Sequence, residues 1–506
     1  FLFVILYIVE YNPLTMNPTF KDLVNTIKKN DIKVDINALE DAYLFAKNAH
    51  EGQQRYTGDP FIAHPLHVAN TIASWGLDEA SIKAALLHDV LEDTPVTYKE
   101  LEKKFGSKIA FLVDGVTKTG QVQLRNSKDL NFVENLRKMF VAMAKDIRVV
   151  LIRLADRYHN MLTLDAVPLS KQQRIALETV EVYAPLAERL GMGEIKGELE
   201  DLAFPFIKPD EHEKITELFK TKIKQTKQHT NQVIKQIEKF LKKTKLDIQV
   251  HGRFKNKYSL YHKLQRPGID NDINNIHDLV AIRIITKNQS DCYLCLGHVH
   301  KLYKPVPHIG VSDFIAQPKP NGYQSIHTKI FDHHGGTVEV QIRSQRMHQQ
   351  AELGAAAHYA YSQAKNDIKK DPDALEKGTA FKASKKMDWV KQLAKWQDEI
   401  ENIKEFKKNL SLDTLSHRIY VFSPLGDVYD LPEGATPVDF AFMVHSDLGL
   451  HIKGAKVNKK LVPLSHPLKS GDVVEIEKTK KKQKPNRDWL QFVKSSQAKA
   501  KIRRSL

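Results

Sequence analysis

From about residue 38 to 205, apolar residues recur at the three-and-four spacing of a helix, as in ALEDAYLFAKNAH, SIKAALLHDVLED and RVVLIRLADRYHNML, with few Gly or Pro interruptions. The pattern predicts an all-α domain over 16–205. The Lys-rich stretch 206–247 keeps the helical period and reads as a helical linker, with Ile215, Leu218, Phe219, Ile234, Ile237 and Leu241 as its buried stripe. Between 248 and 362 the period falls to two, in HDLVAIRII and VEVQIR, and loops such as KPVPHIGVSDFIAQPKPNGY separate the runs. A mixed α/β domain is expected there. Residues 363–414 read as a polar stretch and a helical connector carrying Trp389 and Trp396. Short strands and turns return over 415–478, in RIYVF, SPLGDVYDLP and GDVVEIEK, predicting a small α+β module, and 479–506 opens a further helical region.

Composition agrees with a folded chain of several domains. At 506 residues, with 42% hydrophobic and 27% charged residues, the sequence sits near the globular average. A net charge of +16 favours polyanionic partners such as nucleotides or RNA. Part of that excess lies in the Lys-rich stretches 220–245 and 478–484, which read first as solvated helix faces and linkers. The two cysteines, Cys292 and Cys295, exclude a disulfide framework and predict a cytoplasmic, reducing compartment. One helical turn apart beside Leu294 and Leu296, they read as buried thiols rather than a zinc or redox pair. FLFVILYIV at the start is too short to cross a bilayer and lacks a basic flank, so no membrane association is expected. Met16 is the more natural start, and 1–15 read as foreign to the native protein.

Candidate chemistry concentrates first in the helical region. Metal-assisted phosphate hydrolysis needs imidazole and carboxylate ligands converging on one cation. His88 and Asp89 are adjacent, and Glu92 and Asp93 follow one turn later, which would place four ionisable groups on one helix flank. In LIRLADRYHNMLTL, Asp156 and Asn160 share a face and Thr163 lies about another turn along. A His-Asp pair alone is weak, and a second occurs at His277-Asp278.

RYTGDPFIAHP, LLHDVLEDT and LADRYHNMLTL resemble the HD superfamily of metal phosphohydrolases, and more narrowly the RelA/SpoT homologues, over the whole of 50–200. That resemblance implies Mn²⁺ held by His64, His88, Asp89 and Asp156, with Glu92 and Asp93 positioning or activating the attacking water. It also puts Arg55, Thr57, Asn160 and Thr163 at the nucleotide. The implied activity is removal of pyrophosphate from the 3′ position of guanosine tetra- and pentaphosphate, giving GDP or GTP.

The α/β region carries a second set. In VEVQIR, Glu339, Gln341 and Arg343 face opposite to Val338, Val340 and Ile342, aiming a carboxylate at solvent or ligand. Asp278 on another predicted strand would complete a two-carboxylate site for Mg²⁺. Arg253, Lys255 and Lys263 in HGRFKNKYSLYHKL could clamp a triphosphate, and Tyr323 in KPNGYQSIH could stack on a base. These motifs resemble the RelA/SpoT synthetase domain, which implies transfer of pyrophosphate from ATP to the 3′-hydroxyl of GDP or GTP. By that resemblance Asp278 binds Mg²⁺, Glu339 is metal ligand or base, Tyr323 stacks on guanine, and Lys319, Asn321 and His327 lie nearby. One departure stands out: bifunctional members carry R-x-K-D where this chain reads Gly310-Val311-Ser312-Asp313, and 305–318 holds no Lys or Arg. A weak or conditional synthetase beside a more secure hydrolase is the expectation.

Residues 415–478 resemble a TGS domain, of the ubiquitin-like class, which implies regulation or contact with tRNA or the ribosome, with His445 and His451 as candidate tRNA contacts. WLQFVKSSQAKAKIRRSL resembles the opening of the helical region that follows TGS in long members, with no ACT or zinc-binding portion after it. Three alternatives stand beside the bifunctional reading: a silent synthetase with hydrolase alone, a tRNA- or ribosome-binding nucleotide sensor, and an HD phosphohydrolase of other nucleotides.

Overall fold

The computed structural model describes residues 18–117, 141–143, 145–244, 246–265, 280–307, 310–319, 321–332, 336–357, 418–479 and 484–506, with 269, 272, 273 and 359. They fall into two compact units, the second made of Pro318–Gly322 and the described residues after 399. The first unit opens with α1 (Phe20–Lys29), α2 (Ile36–Ala49), α3 (Ala63–Ser74), α4 (Glu79–Leu87), α5 (Val90–Asp93), α6 (Tyr98–Phe105) and α7 (Ser107–Val116). It continues with α8 (Arg148–Leu162), α9 (Leu169–Glu178), a π-helical turn over Thr179–Tyr183, α10 (Ala184–Arg189) and α11 (Gly193–Ile207). Polar side chains start several of these helices: Thr19 and Thr97 form capping boxes with Asp22 and Glu100, and Asp35 and Asp78 accept first-turn N–H groups.

Three helices form the middle of this bundle. In α3 every residue from His64 to Ala73 is buried, in α4 every residue from Ser81 to Leu87, and in α8 every residue from Arg148 to Asp156. A helix covered on all sides must sit at the centre. The polar residues it carries are then held by packing, and the metal candidates lie on or beside these three helices.

The Lys-rich stretch differs from the expected linker. Helix α12 (Pro209–Lys242) is the first helix of the α/β core: Val233, Ile234, Ile237 and Leu241 pack into it with Val250, Ile282, Ile284 and Ile342. Ile215, with Phe219 against the same cluster, packs on Phe204, Leu260 and Val280 instead. Leu218, expected in the stripe, is 41% exposed. The seam runs through 215, 219, 230, 234, 237 and 241, and 218 lies off it.

The sheet has the order β1-β2-β5-β4-β3, from strands β1 (Ile248–Phe254), β2 (Val280–Thr286), β3 (Ser312–Asp313), β4 (Ile326–Phe331) and β5 (Thr337–Ser344). Only β2 and β5 run parallel, with Ala281 opposite Glu339 and Arg283 opposite Gln341. One face, through Ile282, Ile284, Val340, Ile342, Ile326 and Ile330, packs on α12 and on α14 (Gln289–Leu302), where Cys292 and Cys295 are buried free thiols. The interior strand β2 is buried at every position, so its run of apolar residues reflects two covered faces. Helix α13 (Lys257–Leu264) follows β1, and α15 (Gln345–Leu353) follows β5.

Besides the packing of Phe204 on Leu260 and Val280, two close contacts join the helical and α/β regions into one unit. Asp201 of α11 caps α13, accepting from Lys257 N (3.2 Å) and Tyr258 N (2.9 Å). Gly354, at φ +50°, lies so close to the turn after α10 that a Cβ there would meet Leu190 O at 2.1 Å, and Ala355 N donates to that same oxygen at 2.8 Å.

The second unit holds the hairpin β6 (Arg418–Phe422) and β7 (Val428–Pro432), helices α16 (Pro437–Val444) and α17 (Ser446–Gly449), and the sheet β10-β8-β9 from β8 (Ile452–Val457), β9 (Lys460–Val462) and β10 (Val474–Lys478). The last two helices, α18 (Trp489–Phe492) and α19 (Ser496–Ser505), were expected to open a separate region. They belong to this module: Val493, Ala498 and Ile502 pack on Val438, Phe442 and Ile452, and Asp439 accepts from Ser495 N at 2.7 Å. Residues 1–15, Trp389 and Trp396 lie outside the described residues.

Candidate metal centre and nucleotide sites

His64 enters from the first turn of α3, Asp156 from α8, and His88 and Asp89 from the junction of α4 and α5. The helix pauses at that junction, with Asp89 at φ −93° and ψ −7°, so the expected single flank is two helices. Glu92 N and Asp93 N still donate to Asp89 O, at 3.1 and 2.9 Å, so both residues follow within one turn of Asp89. His64 Nε2 lies 3.2 Å from His88 Nε2, 3.3 Å from Asp156 Oδ1 and 3.5 Å from Asp89 Oδ2, and His88 Nε2 lies 3.1 Å from Asp89 Oδ1. Bonds of about 2.1 Å to one cation set adjacent donors about 3 Å apart. His64, His88 and Asp89 therefore lie close enough together to share a divalent ion, and Asp156 Oδ1, 3.3 Å from His64 Nε2 and 3.9 Å from His88 Nε2, stands beside them as a fourth candidate donor; imidazoles with carboxylates suit transition metals.

The electrostatics point the same way. Burial opposes the charge on Asp89 and Asp156, yet the facing imidazoles, with Arg153 beside Asp156, hold both carboxyls below their ordinary range. Burial also opposes protonation of His88, but the Asp89 and Asp156 charges outweigh it and push the imidazole up to about 9. A buried and a half-buried carboxylate facing two imidazoles thus attract positive charge to this spot, which a cation would supply in place of a proton. The outward atoms are held as well: His88 Nδ1 donates to Ala85 O at 2.9 Å, and Arg153 Nη1 donates to Asp156 Oδ2 at 2.9 Å.

Around this centre the predicted nucleotide residues meet in part. Arg55 donates through Nη2 to Asn160 Oδ1 (3.0 Å) and Thr163 Oγ1 (3.3 Å), and Asn160 Nδ2 donates to Asp156 Oδ1 (2.5 Å). Arg55, Asn160 and Thr163 so form one polar edge leading to the metal candidates. Thr57 is exposed and donates to Asp59 Oδ2 at 2.8 Å, closing its own loop. Glu92 is half-buried near Arg153, and Asp93 is exposed.

In the α/β region the polar face of the sheet gathers a second group. Gln341 Nε2 donates to Glu339 Oε1 at 3.2 Å, His327 Nδ1 lies 2.9 Å from the same oxygen, and Tyr323 Oη shares a hydrogen bond with His327 Nε2 at 2.8 Å. Tyr323, His327 and Glu339 are thus one connected chain. Arg253 stands opposite Ala281 on this face, and Lys255 and Lys263 are half-buried nearby in sequence on β1–α13. Asp278 lies outside the described residues. Lys319 and Asn321 sit in the turn where Gly322 N donates to Lys319 O, in the segment that clusters with the second unit. Of the departing loop, Gly310 has φ +71°, Ser312 pairs with His327 in β3, and Asp313 Oδ1 accepts from Ile315 N and Ala316 N at 2.9 Å. Asp313 is therefore occupied in shaping the loop.

Sequence reasoning passed over Arg283 and read Arg343 only as facing away from the core. Arg343 is fully buried and Arg283 is 9% exposed, and both reach Glu352, at 2.6 and 3.1 Å. Burial, with the charges of Arg343 and Arg253 alongside, pulls Arg283 down to about 10 against the attraction of Glu352. Nε and Nη1 of Arg343 and Nε and Nη2 of Arg283 have no hydrogen-bond partner. In the sequence they stood inside apolar strand runs, where an alternating polar position was the only signal. Two further residues, His67 and His159, were also missed beside His64.

Residues 42–193 match the HD domain family, 252–366 the region found in RelA/SpoT proteins, and 419–478 the TGS domain. Fold and site thus define a protein with a helical HD domain, a mixed-sheet RelA/SpoT region and a TGS module in that order. Over 93% of its length the chain is 46% identical to the GTP pyrophosphokinase of Myxococcus xanthus, covering 60% of that protein. It is 44% identical to the bifunctional (p)ppGpp synthase/hydrolase SpoT of Escherichia coli K12, over 93% of this chain and 65% of that one. With the guanosine-3′,5′-bis(diphosphate) 3′-pyrophosphohydrolase of Aquifex aeolicus the identity is 41%, over 92% and 64%. The chain is similar to these RelA/SpoT relatives and spans 60–65% of the length of the three. A solved structure of a metazoan SpoT ortholog aligns at 23% identity over 33% of this chain and 85% of that one, with a TM-score of 0.24. Among the described residues, no helix is long and apolar enough to cross a membrane.

Proposed function

We propose that this chain is a guanosine-3′,5′-bis(diphosphate) 3′-pyrophosphohydrolase that converts ppGpp and pppGpp to GDP and GTP with release of pyrophosphate. The observation that carries the reading is the convergence of His64, His88 and Asp89, with Asp156 Oδ1 3.3 Å from His64 Nε2 and 3.9 Å from His88 Nε2. These four would hold Mn²⁺, which supplies Lewis-acid activation of water and screens the phosphate charge. Glu92, half-buried one turn beyond Asp89, takes the proton of the attacking water, and the exposed Asp93 orients that water. The proton passes to the 3′-oxygen as the P–O3′ bond breaks. Arg55 binds a phosphate oxygen by charge-assisted hydrogen bonds, held in place by Asn160 and Thr163. Thr57 meets the nucleotide from the loop.

A second activity, transfer of pyrophosphate from ATP to GTP or GDP with Mg²⁺ at Asp278 and Glu339, is supported by the Tyr323–His327–Glu339 chain and the cations on the same sheet face. Arg253, Lys255 and Lys263 would clamp the ATP phosphates, and Tyr323 would stack on guanine with Lys319 and Asn321 beside it. The missing cations at 310 and 312 make this activity weak or conditional. Contact with tRNA or the ribosome would fall to the TGS unit, where His445 and His451 flank one turn through Asp447. One assay run in both directions tests the whole reading. Hydrolysis of guanosine tetraphosphate with Mn²⁺ should be robust, and its synthesis from ATP and GDP with Mg²⁺ slow. Absent hydrolysis overturns the first activity, robust synthesis the second claim, and salt-sensitive RNA binding without turnover would favour a sensor instead.

A further inference from the structure

We propose that His159 is a positioning residue for the metal centre: its Nδ1 accepts the Nδ1 proton of His64 and thereby fixes the tautomer that turns the His64 Nε2 lone pair toward Asp89, Asp156 and His88. The inference rests on the metal-site reading above and concerns a side chain outside the four ligands.

His64 and His159 meet Nδ1 to Nδ1 at 2.7 Å. Both are buried, at 1% and 4% exposure, so neither nitrogen has water as an alternative partner. A pair of facing ring nitrogens at that distance shares one proton, which leaves two arrangements. If His159 were the donor, His64 would carry its proton on Nε2 and present an N–H to Asp156 Oδ1 at 3.3 Å. A metal ligand needs a lone pair on Nε2, so His64 must be the donor and His159 the acceptor, with the His159 proton on Nε2.

Two facing helices build this contact. His64 and His67 are one turn apart on α3, and Asp156 and His159 are one turn apart on α8, so both helices present an i, i+3 pair to the same seam. His159 enters between the two α3 histidines, 4.9 Å from the His64 ring centroid and 4.1 Å from that of His67, tilted by 31° and 35°. His67 is 2% exposed and its Nδ1 has no hydrogen-bond partner, so its contribution is to hold the His159 ring by packing. His88 solves the same problem with a backbone oxygen, Ala85 O. His64, at the start of α3, uses a side chain.

The test is Mn²⁺ affinity of the full chain, measured by electron paramagnetic resonance titration of free Mn²⁺, for His159→Phe, His159→Asn and His88→Ala. Phe keeps a ring against His67 but offers no acceptor, and Asn returns an oxygen near the position of Nδ1. Loss of such an outer partner weakens metal binding by about 10- to 100-fold. His159→Phe should show that weakening and His159→Asn should restore affinity to within about 3-fold of the unaltered chain. Circular dichroism melts show whether each variant is folded, and the Asn variant carries the test if Phe unfolds the chain. Unaltered affinity in His159→Phe, or equal weakening in both variants, overturns the inference. His88→Ala should remove one bound Mn²⁺ per chain, leaving only what Asp278 and Glu339 hold; if it removes none, the metal-site reading itself fails, separately from the role of His159.

Discussion

Replacing Gly354 by Ala tests whether the helical and α/β regions are joined as described. Gly354 has φ +50°, and an L-residue there costs roughly 1–2 kcal/mol. The added Cβ would also sit 2.1 Å from Leu190 O and 2.5 Å from Gly191 C, both backbone atoms that no rotamer change can clear. Overpacking of that kind costs roughly 1–3 kcal/mol. Moving the turn away would break the Ala355 N to Leu190 O hydrogen bond of 2.8 Å, worth about 1 kcal/mol. The sum, about 3–6 kcal/mol, should lower the melting temperature by about 5–10 °C for a unit of this size. Gly58→Ala is the control: its φ is +85° but nothing lies within 4 Å of its would-be Cβ, so only the conformational part applies. Differential scanning calorimetry of the two variants separates strain from clash. If Gly354→Ala melts together with Gly58→Ala, the close approach at Leu190–Gly191 is not there and the two regions are not tied at this point.

Restoring a cation to the altered loop should raise synthesis. Ser312→Lys should increase kcat/KM for pyrophosphate transfer from ATP by roughly 10- to 100-fold, the worth of one charge-assisted hydrogen bond. Adding Gly310→Arg should gain less, because position 310 has φ +71°; no gain from Ser312→Lys would mean the loop does not touch phosphate. Burial raises the carboxyls of Glu198 and Glu200 to about 7 from the ordinary 4.5, against the opposing pulls of Tyr158 and Lys196. Both groups hold protons in the folded chain that they have lost in the unfolded one, so their stabilisation is full below 4.5, declines as pH rises and is gone above about 7. Thermal melts across that range should fall more steeply for the unaltered protein than for Glu198→Gln, and parallel curves would refute the assignment.

His88 and Asp156 were legible because each closes an apolar helical run, in SIKAALLHD and VVLIRLAD, whereas His64 was reached only through the resemblance of RYTGDPFIAHP. The strand reading of VEVQIR held for Val338 to Ile342 for the same reason of period. It missed the burial of Arg343 because α15, not solvent, covers that end of the strand and supplies Glu352 as its partner. The linker reading of 206–247 failed on a different count. Lysines on the outer face of α12 dominate the composition, while the narrow seam of Val233, Ile234, Ile237 and Leu241 decides where the helix packs. His159 was invisible because its role depends on a partner 95 residues away, and no spacing along the chain encodes that.

The central claim is that His64, His88, Asp89 and Asp156 hold the metal for hydrolysis at the 3′ position. Its most direct test is Mn²⁺-dependent release of pyrophosphate from guanosine tetraphosphate by the full chain carrying His88→Ala and Asp89→Ala together. Release falling to the uncatalysed background, with the melting transition retained, is the predicted result; release at the rate of the unaltered protein would contradict the account.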